Sequence, residues 1–281
     1  MKIWIQGARP RTLPAAIAPV VVGTVLAGAQ WKPLQAFLAL FVSLSLQVAV
    51  NYSNDYSDGI RGTDDNRVGP VRITASKLAS AESVKRAAIV SFTLASMAGL
   101  VLAYLSSYWV IALGVASIAA AWGYTGGKNP YGYKGLGEMS VFIFFGVVAT
   151  VGTYYVQTLE ISWHAFTASV PMGALSCSLL AINNIRDRQE DELVGKRTLA
   201  VRLGDRGSRM FFVFLIAATY VFALLSGSAW TLLTFLTLPL ALPLVRKVHK
   251  GASRTELIPL LGATGKLQLV FAIIFAVSLA L

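Results

Sequence analysis

Two stretches of the chain carry oxygen ligands at helical spacing. The first holds Asn51, Asn54, Asp55, Asp58, Asp64 and Asp65, and the second holds Asn183, Asn184, Asp187 and Asp191. Asn183, Asp187 and Asp191 are four apart, so a helix continuing through them stacks them on one face. Asn51 with Asp55, and Asn54 with Asp58, share that spacing. Carboxylates aimed at one another repel unless a cation sits between them. Mg²⁺ takes oxygen ligands, keeps waters and is commonly completed by substrate phosphates. Two facing acidic clusters, with Asp55, Asp58, Asp64, Asp65, Asp187 and Asp191 as metal ligands, would grip a diphosphate. Asn51, Asn54, Asn183 and Asn184 would line the same site. Arg61, Arg67, Lys128 and Lys196 would neutralise the remaining phosphate charge, and the metal would make diphosphate a better leaving group. The bland alternative is a pair of solvated helix ends of mixed charge. Two Asn/Asp arrays following helices on one face argue for function, because acids at a membrane boundary mark functional sites. A third segment, Tyr124 through Glu138, is rich in Gly and Tyr, and its glycines let the backbone turn sharply or approach a ligand. Taken alone it also reads as a tight turn with aromatic interface anchors.

The elements that must position these groups are apolar. Of 281 residues, 56% are hydrophobic and 13% charged, with a mean hydropathy of +0.64. A soluble domain carries roughly 25% charge. The composition excludes a soluble enzyme, a disordered tail and a fibrous repeat. The formal net charge is +11, which in a bilayer protein reflects basic residues holding loops on the cytoplasmic side rather than nucleic-acid binding. One cysteine, Cys177, lies in an apolar run and excludes an intrachain disulfide. The first apolar run is too long for a signal-peptide core and lacks a clear cleavage site.

The sequence predicts an all-α, polytopic membrane protein: a single domain over residues 1–281 with nine transmembrane helices bundled around a central cavity. The expected spans are Leu13–Ala29, Leu34–Ser53, Ala87–Tyr104, Trp109–Tyr124, Leu136–Val156, Ala165–Asn183, Met210–Leu225, Trp230–Val245 and Leu267–Leu281. With the N-terminus in the cytoplasm, all of the Lys and Arg except Lys32 fall on the cytoplasmic side, and the C-terminus is external. Every acid but Glu160 falls on that side as well. The active site is therefore expected at the cytoplasmic face of a cell membrane, on the long loops after the second and sixth spans.

These residues together resemble the UbiA superfamily of intramembrane aromatic prenyltransferases. Asn183-x3-Asp187-x3-Asp191 matches the family's second aspartate-rich motif, and Tyr124-x3-Lys128 resembles its Tyr/Lys motif. Ala8 through Pro14, Asn54 through Asp65, Arg67 through Pro70, Tyr131 through Glu138 and Thr198 through Gly204 resemble the naphthoate branch. The first motif departs from Asn-x3-Asp-x3-Asp: counting from Asn54 ends on Gly62, and counting from Asn51 ends on Gly59. Asp64 or Asp65 is the replacement the branch implies. The resemblance implies a Mg²⁺-dependent transfer from a polyprenyl diphosphate donor to 1,4-dihydroxy-2-naphthoate, releasing CO₂ and diphosphate and giving demethylmenaquinone. It makes Asp55, Asp58, Tyr124, Asp187 and Asp191 the catalytic residues, with Tyr124 facing the allylic cation. It leaves donor chain length and oligomeric state open.

Rival readings are weaker. Other acceptors of the superfamily include 4-hydroxybenzoate and homogentisate, and the stretches above favour naphthoate. Asp55-x2-Asp58-Gly59 begins like a CDP-alcohol phosphotransferase motif, but Gly62-Thr63 stands where Ala-Arg is needed. An ion-coupled transporter would place its acids near the bilayer midplane, whereas these crowd one face.

Overall fold

The computed structural model describes residues 2–63 and 69–281. Asp64, Asp65 and Arg67 lie outside the described residues. A short helix α1 (Lys2–Ala8) precedes α2 (Pro14–Leu26) and α3 (Pro33–Ile60). Then come α4 (Ala81–Leu105), α5 (Trp109–Gly123), α6 (Gly137–Thr158), α7 (Trp163–Leu193), α8 (Leu199–Leu224), α9 (Ala229–His249) and α10 (Arg254–Ala280). Among the described residues no strand is present. Seven of these helices are long and apolar enough to cross a membrane, and α2 and α5 are shorter apolar helices. Hydroxyls within them donate to carbonyls one turn back, as Ser96 does to Phe92 and Thr264 to Leu260. This satisfies polar groups that lipid cannot.

The helices run further at the motif end than the apolar runs predict. The expected ends at Ser53 and Asn183 become Ile60 and Leu193. Asn51 through Asp58 and Asn183 through Asp191 therefore ride on helical turns, not on loops. Hydropathy stops where the polar residues begin, but the backbone hydrogen-bond ladder does not. Similarly α10 starts at Arg254 rather than Leu267, which puts Lys266 inside a helix. A Ser253/Glu256 capping box fixes that start. Helix α8 begins at Leu199 and contains a break at Gly204 (φ 69°, ψ −176°), a conformation that glycine adopts readily.

Packing is uneven. Helix α7 is central, with 78% of its apolar window buried, the most of the seven long helices. Around it α2, α8, α9 and α10 build a solid core that includes Met172, Leu175, Phe212, Phe271 and Phe275. Helix α5 buries none of its residues. On that side α2 to α7 enclose an apolar cavity of about 410 Å³. Its wall on α6 contains a π-helical segment, Ile143–Val148. There Gly146 meets Gly173 of α7 so closely that a Cβ on Gly146 would lie 2.6 Å from the Gly173 Cα.

A Cβ on Gly173 would lie 2.7 Å from the Phe142 ring. Gly173→Leu should therefore destabilise the bundle by about 1–3 kcal/mol, read as a lower thermal midpoint in detergent. An unchanged midpoint would show that α6 and α7 do not meet there.

Candidate active site

The C-terminal turns of α3 present Asn51, Asn54, Asp55 and Asp58, all buried. The spacing is i, i+3, i+4, i+7, one helix face. Each is held by a different neighbour. Asn51 donates to the Ala8 carbonyl at 2.9 Å and the Thr12 hydroxyl at 3.1 Å, and accepts from Gln47 at 3.4 Å. Asn54 accepts from the Thr125 hydroxyl at 2.8 Å. Asp55, fully buried, accepts the Ile73 amide on Oδ2 and the Thr74 amide on Oδ1, both at 2.9 Å. These bonds fold the segment after the first motif back onto α3.

Asp58 is the junction. The Tyr133 hydroxyl donates to its Oδ1 at 2.6 Å, and Lys196 Nζ lies 3.3 Å from the same oxygen. Arg72 lies 3.7 Å from Oδ2. Lys196 and Arg72 are themselves buried. A carboxylate this far from water needs such partners. The Tyr133 ring lies under Lys196 Nζ at 4.7 Å and under the Arg61 guanidinium at 5.6 Å. Burial, and then the charge of Asp58, push the Tyr133 phenol well above its ordinary value of 10.0. It therefore remains a proton donor to Asp58 at neutral pH.

The second motif sits on the last turns of α7. Asn183 lines the cavity and donates to the Leu179 carbonyl at 3.3 Å. Asn184 donates to Glu138 Oε1 at 2.8 Å. Arg186 grips Asp187 with two bonds, at 2.6 and 2.8 Å. The Asp191 carbonyl accepts the Lys196 amide at 2.8 Å, closing the helix end.

The Tyr124–Glu138 segment ties the two motifs together. Arg61 donates to the Thr125 and Gly127 carbonyls. Tyr133 reaches Asp58 with its hydroxyl, while its carbonyl accepts the Arg197 amide at 2.9 Å. Glu138, buried in α6, receives Asn184. The Arg186 guanidinium lies against Gly69: a Cβ on that glycine would stand 3.2 Å from its Cζ. Tyr124 packs edge-on against Tyr131 at 5.6 Å, and both line the cavity.

Three expected residues are placed differently from the sequence reading. Asp55 directs both oxygens to backbone amides. Arg61 directs its guanidinium to carbonyls. Lys128 is exposed on its loop. Residues that the spacing argument passed over are Tyr133, Thr125, Arg186 and Glu138. Arg72, which meets Asp58, belongs to neither motif. Tyr133 and Glu138 lie within a segment whose density of Gly and Tyr was itself the available signal.

The cavity is polar at one end, at Arg9, Thr12, Gln47, Asn51, Asn54 and Asn183. It is apolar beyond, between α3, α4, α5 and α6. Charge at a mouth and an apolar bore behind it suit an amphiphile with an anionic head. Residues 16–260 match the UbiA prenyltransferase family. The chain belongs to that family. Among its relatives is a 1,4-dihydroxy-2-naphthoate octaprenyltransferase of Mycobacterium tuberculosis, 51% identical and covering 99% of this chain and 96% of the relative. One of the same name from Escherichia coli is 35% identical over 99% and 95%. The fold is that of solved UbiA homologues. The apo homologue from Aeropyrum pernix superposes with a TM-score of 0.71 at 17% identity, covering 95% of this chain and 96% of that one. The Archaeoglobus fulgidus homologue bound to GPP and Mg²⁺ gives 0.68 at 14% identity, covering 99% of each. The protein is thus a multi-pass membrane prenyltransferase by family.

The Asp55 carboxylate accounts for the fold of the segment over Ile73 and Thr74. Asp55→Ala should speed hydrogen exchange at those two amides by about tenfold or more, the value of a hydrogen bond to a charged group. Unchanged protection would show that the carboxylate does not hold them.

Proposed function

We propose that the enzyme transfers a polyprenyl group from a polyprenyl diphosphate to 1,4-dihydroxy-2-naphthoate with loss of CO₂ and diphosphate. The mycobacterial relative's acceptor, together with identity running the length of the chain, carries this reading. The N-terminus and the charged end of the cavity are proposed to face the cytoplasm, with the C-terminus external, an orientation that the distribution of basic residues supports.

Metal use follows from the donor set. Carboxylate and amide oxygens on two helix ends are the hard ligands that Mg²⁺ takes. Among the described residues no three acidic, His or Cys groups form a ready cluster. Asp58 and Asp187 are instead neutralised by Arg72, Lys196 and Arg186. Asp58, Asp187 and Asp191 would hold the ion, and Asp64 and Asp65 remain candidates on the same motif. When bound, Mg²⁺ draws charge from the diphosphate and lowers the barrier to its departure.

The chain's own residues do the rest. Lys196 and Arg72 supply positive charge to the phosphate oxygens. Tyr133 fixes Asp58 and the Lys196 ammonium in one geometry, which is the preorganisation that charge stabilisation needs. Asp55 acts as a positioning residue that seats the segment carrying Arg72. Breakage of the C1–O bond leaves an allylic cation. The cavity keeps water from it, and the Tyr124 face stabilises it. The electron-rich ring attacks C1 at its carboxylated carbon, and loss of CO₂ restores aromaticity. No oxidant takes part, so the prenylated product leaves as the quinol and reaches the quinone by a separate two-electron oxidation.

The test is an acceptor panel of 1,4-dihydroxy-2-naphthoate, 4-hydroxybenzoate and homogentisate with labelled octaprenyl diphosphate, read by mass spectrometry. Naphthoate should dominate, and preference for either other acid would overturn the assignment. Asp187→Asn or Asp191→Asn should abolish transfer while leaving the protein folded, and EDTA should stop the wild type. Turnover near normal in either variant with Mg²⁺ present removes that residue from the ligand set.

Tyr133→Phe should lower kcat/KM by about tenfold or more, from loss of a hydrogen bond to a charged group. A change under twofold would place Tyr133 outside the machinery.

A further inference from the structure

The cavity wall contains three glycines that neither the backbone nor the packing requires. Gly99 of α4, Gly114 of α5 and Gly152 of α6 all line it. None is among the glycines with positive φ, so any residue could adopt their backbone. An added Cβ at Gly99 or Gly114 meets no heavy atom within 4 Å, and at Gly152 it meets only Leu113 Cδ2 at 3.9 Å. The contrast with Gly146 and Gly173 is direct, since a Cβ there would collide with the neighbouring helix at 2.6–2.7 Å. Glycine in a helix interior is disfavoured relative to alanine. What these three positions preserve is empty space.

They also lie at one depth. Gly99 precedes the end of α4 at Leu105, Gly114 follows the start of α5 at Trp109, and Gly152 precedes the end of α6 at Thr158, each by about one and a half turns. These three helix ends are at the end of the bundle opposite the aspartate motifs. Along α5, Gly114 is about 15 Å from Tyr124 at the charged mouth. An isoprene unit advances about 5 Å by ordinary covalent geometry. A two-unit tail held at the mouth therefore stops short of the glycine level, and a long tail must pass it.

We propose that Gly99, Gly114 and Gly152 form a constriction-free ring that sets the bore of the cavity, and so sets the length of isoprenoid donor the enzyme accepts. The inference rests on the prenyl-transfer reading and adds the determinant of donor choice. A side chain at any of the three would project into the path of the tail, and apolar chains have no polar contact with which to compensate for lost width. A single methylene changes discrimination in an apolar pocket by tenfold or more.

The experiment compares geranyl diphosphate with octaprenyl diphosphate, at fixed acceptor, in the full-length protein in detergent or nanodiscs. Gly114→Phe and Gly99→Leu should lower the octaprenyl-to-geranyl ratio of kcat/KM by at least about tenfold, with geranyl transfer nearly unchanged. Gly99→Ala and Gly114→Ala guard against a folding artefact, and should keep or raise the thermal midpoint while shifting the ratio in the same direction by less than the bulky variants. If a large variant fails to fold, Gly152→Leu gives the same readout. An unchanged ratio, or equal loss with both donors, overturns the proposal. A wild type that transfers from neither donor instead overturns the parent reading, so the two failures are distinguishable.

Discussion

A carboxylate sealed from water dictates the architecture of this site. Asp58 is 3% exposed, and an isolated anion in that position is untenable. It is tolerated because three separate segments each send it one group: Tyr133 from the loop before α6, Lys196 from the loop after α7, and Arg72 from the segment after α3. The requirement works in both directions. Lys196 and Arg72 are buried cations that would be equally costly alone. One node of opposed charges therefore fixes the relative positions of three connections that are far apart in sequence.

The rest of the bundle divides into a packed half and a hollow half. Helices α2, α7, α8, α9 and α10 share one apolar core, and they make a rigid wall against which α3 and α6 are set. Helix α5 buries nothing, and with α4 it closes the hollow side loosely. A second, shallower groove along Phe92, Met97 and Trp122 shares Ser96, Leu100 and Ile118 with the main cavity. The wall between bore and lipid is thus one side chain thick there. Rigid support behind the charged groups and a thin wall beside the apolar bore suit a substrate whose head must be fixed and whose tail need not be.

Much of this was legible in the sequence, and what was not has physical reasons. Hydropathy located the apolar helices, because apolar composition and bilayer solvent are directly linked; among the described residues seven of the nine expected spans are long and apolar enough to cross. It misplaced their ends at Ser53, Asn183 and Leu267, because a helix continues on backbone hydrogen bonds after its side chains turn polar. The four-residue spacing of Asn183, Asp187 and Asp191 gave the shared face correctly. Spacing could not reveal that Asp55 turns to the amides of Ile73 and Thr74 while Asp58, one turn on, meets two cations. That difference depends on where a later segment folds back, which is non-local. The partners of Arg61 and Tyr133 were hidden for the same reason: a side chain's type says what it can bind, and only the fold says what reaches it first.

The π-helical segment Ile143–Val148 has a consequence for descent. A π turn holds one residue more than an α turn, so the segment carries an extra residue within a helix rather than in a loop. Phe144, Phe145 and Val148 face the cavity at this point, while Gly146 abuts α7. Excising a single residue here would restore regular winding and remove the wide turn that presents these side chains. The aromatic wall and the glycine contact both depend on that wide turn. Gaps in this stretch should therefore be rare among relatives that share the chamber, and where one occurs it marks a chamber of different shape.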